Sequence, residues 1–263
     1  MNLSRIGAWL WQNRKVIITA VFAYGLFQAI FYLPHGLAVW IIGLLVVLTL
    51  GVWWLSGFSR NVRQWVWLLL EIVWVTIGGL GFVIFNLLSP WAFQLAAVLV
   101  IVVIFWLMLL YEEYLSEGSW PVWSFSILDF VDLLTFFLVS SSMLLAADLF
   151  NLNFAWILAG FALQVLLAVN LRFWREKMKS RRKWFYIVLT ALVSEEVLWV
   201  ISFWHRSVFL KAFLTSLIFY LFADFILHYI RGTLTVRVAV EYLFMVAVLL
   251  AIVFVIDWLF VLQ

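Results

Sequence analysis

The stretch that decides the fold runs ILDFVDLLTFFLVSSSMLLAADLF (127–150), NLN (151–153), FAWILAGFALQVLLAVNL (154–171), RFWREKMKSRRK (172–183) and WFYIVLTALVSEEVLWVISFW (184–204). Three apolar runs are parted by a polar triplet and by a basic dodecapeptide. At a rise of about 1.5 Å per helical residue, a run of about 20 apolar residues crosses the roughly 30 Å hydrocarbon layer of a bilayer. Each run is therefore expected to be a membrane-spanning helix. The same criterion, carried outward, places helices near residues 16–33, 37–55, 64–88 and 92–110 on one side and 208–230 and 238–261 on the other. Pro34-His35-Gly36, Ser56-Gly57 and Ser89-Pro90 supply breaks between them. The reading is an all-α, polytopic transmembrane bundle of about nine spanning helices, one integral membrane domain over residues 1–263. The basic loop 172–183 is the best candidate for a boundary between sub-bundles 1–171 and 184–263.

Composition agrees. Of 263 residues, 68% are hydrophobic and 11% charged, against roughly 45–50% and about 25% in soluble domains. Many of the 18 Trp, including Trp53, Trp54, Trp174, Trp184 and Trp204, flank apolar runs, as interfacial belts require. The absence of cysteine excludes disulfides, thiolate-ligated zinc and thiol catalysis. Only His35, His205 and His228 are available as imidazole ligands, and the first two fall in expected loops. No metal site is expected. The net charge of +3 sits in short segments between apolar runs, where it reads as a topology signal and not as a nucleic-acid surface. The opening MNLSRIGAWLWQNRK lacks a small-residue cleavage site and reads as a retained anchor.

With a cytoplasmic N-terminus and nine spans, fourteen of the sixteen basic residues face inward, leaving Arg206 and Lys211 outside. The positive-inside rule then predicts an N-in, C-out protein of the cytoplasmic (inner) membrane. The acid-rich segment between helices 4 and 5, with no base, also falls inside; acids weigh little in the rule.

Carboxylates within apolar helices ask for a partner, a proton or a wet cavity. Glu71, Asp129, Asp132, Asp224 and Glu241 lie within roughly 3–11 Å of the cytoplasmic helix ends, with His228 beside them, whereas Glu195 and Glu196 lie near the midplane, at roughly 16–18 Å. Asp224 and His228 are spaced i, i+4 and Asp129 and Asp132 i, i+3, so each pair shares a helix face. Adjacent Glu195 and Glu196 project about 100° apart, so at least one must look inward. Near the outer ends, Lys211 can form a structural ion pair with Asp257 or Asp148. Ser140-Ser141-Ser142 can extend hydration toward Glu195, and the glycines of TIGGLGF (76–82) mark close helix packing.

A Glu-Glu pair in one membrane helix and a histidine in the next, as in Glu195-Glu196 and His228, resembles the CAAX-protease and bacteriocin-processing family of intramembrane proteases. That family's core reads Glu-Glu-x-x-x-Arg, then Phe-x-x-x-His, then a further histidine with Asn or Asp. Here Val200 stands at the arginine position, Asp224 at the phenylalanine, and the last helix has no histidine. The resemblance implies an intramembrane hydrolase centred on Glu195, Glu196 and His228.

Three function classes follow. The leading one is an ion- or proton-coupled transporter or channel using Glu71, Asp132, Glu195, Glu196, Asp224, His228 and Glu241. The others are the hydrolase and a membrane scaffold or assembly partner without catalytic activity. No P-loop, GxSxG, HExxH or dinucleotide fingerprint appears, and no cofactor is expected. The expected partners are the lipid bilayer and protons or small cations, with no signal for oligomeric state.

Overall fold

The structure, a computed structural model, describes residues 13–32, 37–55, 62–85, 90–117, 124–176, 183–204 and 207–261. These form nine helices and no strand: α1 (Arg14–Tyr32), α2 (Leu37–Leu55), α3 (Val62–Phe85), α4 (Pro90–Glu117), α5 (Ser124–Phe150), α6 (Phe154–Arg175), α7 (Lys183–Ser202), α8 (Val208–Arg231) and α9 (Val236–Val261). Residues 1–12 of the N-terminal anchor, the loop residues Lys177, Lys179, Arg181, Arg182 and Arg206, and the side chain of Asp257 lie outside the described residues.

Local chemistry sets several boundaries. Pro90 opens α4 at the position where a missing N–H costs nothing. The Asn153 side chain accepts from the Ala155 N–H at 3.0 Å and caps α6. Ser207 caps α8, which ends at Gly232 in the left-handed conformation at φ 69°. That conformation lets the Gly232 N–H reach the Tyr229 carbonyl, as a C-terminal cap requires.

Among the described residues, five helices are long and apolar enough to cross a membrane: Ala97–Tyr114, Ile127–Phe150, Phe154–Arg175, Lys183–Ser202 and Val208–Arg231. Val39–Leu55 and Val66–Phe82 are shorter apolar helices. Large apolar side chains such as Leu163, Trp184, Phe185 and Leu192 are more than half exposed on the outer faces. A water-facing surface would bury them, whereas a lipid-facing one leaves them where they are. The chain is a helical, membrane-embedded protein.

Packing divides the interior into two apolar clusters. One is built from α1–α4 with Leu128 and Val131 of α5, the other from α5–α8 with Trp74 of α3. Helices α6 and α7, on either side of the basic loop, pack together inside the second cluster. The seam lies along α3 and α5, which touch over much of their length. Small residues make this approach possible. A Cβ on Gly78 would stand 3.0 Å from Val139 Cγ2, one on Gly81 2.9 Å from Ser142 Oγ, and one on Gly79 2.2 Å from Val100 Cγ2. The glycines of TIGGLGF thus seat α5 on one side of α3 and α4 on the other. Helix α9 touches the bundle through α8.

Several polar groups inside the clusters pair with one another or with the backbone. Gln28 and Gln94 exchange two amide hydrogen bonds of 2.7 Å between α1 and α4. Gln164 donates to the Phe136 carbonyl at 2.8 Å and pairs with Ser140. Ser141 and Ser142 donate to the carbonyls four residues back. The serine triplet is therefore engaged with α5 itself and with α6.

Candidate functional site

Helix α6 runs a turn beyond the apolar stretch expected to end at 171, through Arg172 to Arg175. This corrects the assignment of both arginines to the loop. Spaced i, i+3, they share one face, and they are 6% and 3% exposed. Two cations in the last turn also lie where the helix dipole favours positive charge.

The acids of three other helices converge on this turn. Arg175 Nη1 donates to Glu71 Oε1 of α3 at 2.7 Å, and Nη2 donates to Asp132 Oδ2 of α5. Arg172 Nη2 donates to Asp224 Oδ1 of α8 and lies 3.5 Å from Asp129 Oδ1 of α5. The guanidinium carbon of Arg172 is 5.1 Å from the Tyr220 ring centre, in the cation–π range. The Tyr242 hydroxyl of α9 donates to Asp224 Oδ2. Just beyond, Arg231 pairs with Glu176 and ties the end of α8 to the end of α6.

Five helices thus meet through one charge network, its depth set by Glu71 and Asp132 a little over two turns inside the N-terminal ends of α3 and α5. Four carboxylates face two guanidiniums, leaving two formal negative charges in excess when all are ionised. Glu71 Oε2, Asp132 Oδ1 and Arg172 Nε are buried without a hydrogen-bond partner among the described residues. Arginine suits this role because its planar fork serves two carboxylates at once. The network can exchange a proton or accept a further donor at those oxygens.

Of the residues singled out in the sequence, Glu71, Asp129, Asp132 and Asp224 enter this network. His228 stands at its edge, with Nε2 3.8 Å from Asp224 Oδ2 and Nδ1 2.9 Å from Thr233 Oγ1. Glu241 is exposed and pairs with Arg237 at 3.0 Å within α9. Glu195 is half-buried and Glu196 exposed on α7. Among the described residues no hydrogen bond or ion pair joins either glutamate to His228. Lys211 donates to the Ser202 carbonyl at 3.2 Å.

Sequence reasoning missed Arg172, Arg175, Tyr220 and Tyr242. A usable signal existed for the arginines. Leu171-Arg172-Phe173-Trp174-Arg175 continues the apolar run with two cations one turn apart, and unpaired acids stand at similar depth on three neighbouring helices. Tyr242 carries no comparable mark.

No curated protein and no solved structure matches the chain. A family model does match, over residues 75–256, from the middle of α3 to α9. That interval contains Asp129, Asp132, Arg172, Arg175, Asp224 and Tyr242, and it begins one turn after Glu71. Because the match spans more than half of its length, the chain belongs to the family described as Protein of unknown function (DUF5656).

Proposed function

We propose that this chain moves protons or small cations across the cytoplasmic membrane, with the buried charge network as its cytoplasmic entry. The observation that carries this reading is the surplus of carboxylates. Four acids converge on two arginines, and one oxygen each of Glu71 and Asp132 lacks a partner among the described residues. Charge held inside a membrane bundle is costly, and a surplus of one sign calls for a mobile counter-charge. The orientation proposed is nine spans, N-terminus in and C-terminus out. In support, Arg172, Arg175, Lys183, Arg231 and Arg237 all stand at the network's end of their helices.

Purified protein in proteoliposomes carrying an internal pH dye, challenged with proton, Na⁺ or K⁺ gradients, tests the activity. Asp132→Asn and Asp224→Asn are expected to cut flux at least tenfold while the protein still folds. Flux equal to that of empty vesicles would end this reading. Topology is tested separately. The chain has no native cysteine, so Lys177→Cys and Gln263→Cys should label from opposite faces with an impermeant thiol reagent; labelling from one face would refute nine spans.

A second reading, an assembly partner without activity, is favoured by the pairing itself, since each arginine already serves two carboxylates. It expects no flux, and a stability loss when either arginine is replaced. The hydrolase reading draws least from the geometry, because Glu195, Glu196 and His228 do not join.

A further inference from the structure

We propose that the cargo of this network is an amphiphilic cation, an ammonium head on a single alkyl chain; this rests on the cation-handling reading above. The argument joins two features. The first is the pair of buried oxygens, Glu71 Oε2 and Asp132 Oδ1, on side chains that are 1% and 6% exposed. Each is the second oxygen of a carboxylate already bonded to Arg175. They are acceptors in a network with excess negative charge, so the matching ligand is a cation that donates. An ammonium carries three N–H donors and no acceptor. Among the described residues no three of His, Cys, Asp and Glu converge as a metal-binding group, because guanidiniums are interleaved with the carboxylates.

The second feature is an apolar groove of about 240 Å³ between α4 and α5, floored by α3. Both α4 and α5 pack on α3 but make no extended contact with each other, which leaves the cleft open. Val75 and Gly79 form its floor, Val100 and Thr135 its buried walls, and the half-exposed Leu99 and Phe130 its rim. The floor continues the charge network in register: Val75 and Gly79 lie one and two turns beyond Glu71 on α3, and Thr135 one turn beyond Asp132 on α5. At a volume below the roughly 300 Å³ where drug-sized pockets begin, the groove suits one flexible chain better than a rigid polycycle. Leu99 and Phe130, exposed apolar side chains, leave its rim open at the surface of the bundle.

The test uses the full chain in nanodiscs and radiolabelled decylammonium, counted against protein-free nanodiscs to remove simple partitioning. Saturable binding is expected. Unlabelled decylammonium should compete, while tetramethylammonium, decanol and decyl sulfate should not. Asp132→Asn should weaken binding about tenfold or more, the size of one lost charge-assisted hydrogen bond, and Asp132→Glu should restore it. Val103→Trp, which fills the groove from a partly buried position away from the charges, should weaken it similarly. No saturable excess, equal competition by decanol, or wild-type binding in Val103→Trp would each overturn the proposal. Proton or Na⁺ flux without decylammonium binding would remove this inference and leave the transport reading standing. Saturable binding without flux of any cation would show a binding site but no cargo, and would overturn this inference together with the transport reading.

Discussion

Carboxylates sit inside apolar helices in two parts of this bundle, with opposite surroundings. Where α3, α5, α6 and α8 meet, Glu71, Asp129, Asp132 and Asp224 are held by Arg172 and Arg175, and the groups around Arg175 are almost wholly buried. On α7, Glu195 is half-buried and Glu196 exposed, between the exposed side chains of Leu192, Trp199 and Val200. Neither has a hydrogen bond or ion pair among the described residues. The two regions differ in what the neighbouring helix supplies. The last turn of α6 brings two guanidiniums to the first, and α6 and α8, which flank α7, bring no donor to the second. What the neighbouring helix supplies therefore sets what a buried carboxylate does. A donor at matching height turns it into part of a rigid network, and its absence leaves a costly group at the lipid boundary.

The largest effect should come from Arg175→Gln, which strands Glu71 and Asp132 in a buried site. A loss of about 3–5 kcal/mol is expected, read as a large fall in the detergent-denaturation midpoint followed by helical circular dichroism. Arg172→Gln should cost less, about 1–3 kcal/mol, because the side chains of Asp129 and Asp224 keep 30% and 19% of their exposure and solvent screens part of the charge. Equal losses for the two arginines would blur the distinction between the inner and outer halves of the network. Tyr242→Phe deletes one hydroxyl bond to Asp224 and should cost about 1 kcal/mol. Since α9 is held to α8 by few contacts, spin labels on α8 and α9 should report a broader distance distribution in that variant. Glu196→Gln should stay within about 0.5 kcal/mol of wild type or stabilise the protein; a loss as large as that of Arg172→Gln would mean Glu196 has a partner after all.

The helices were legible because their signal is collective. Runs such as 127–150 and 208–230 outlast any single misplaced charge, and breaks such as NLN carry turn chemistry. The network's four acids were legible for the opposite reason, since one carboxylate in hydrocarbon is informative alone. The arginines were obscured by their surroundings. Arg172 and Arg175 adjoin Lys177, Lys179, Arg181, Arg182 and Lys183, and charge counting merges them with that loop. One further helical turn separates a loop cation from a buried one, and turn-level boundaries are where periodicity is weakest. Helix neighbours were not legible at all. That α5 lies against α3 depends on small residues such as Gly78 and Gly81 meeting Val139 and Ser142 across the seam, and a single chain read in order does not pair such positions. Tyr242 reaches Asp224 because α9 folds back beside the end of α8, which no local pattern announces.

The central claim is that the arginine-centred network, and not the Glu195-Glu196 face, is the working site. Solid-supported-membrane electrophysiology on proteoliposomes tests it directly, recording the transient current after a cation or proton concentration jump for wild type, Asp132→Asn, Asp224→Asn and the double variant Glu195→Gln/Glu196→Gln. The account predicts a current in wild type that is retained in the double glutamate variant and lost in both aspartate variants. A current retained in Asp132→Asn and Asp224→Asn but abolished by the glutamate changes would contradict it.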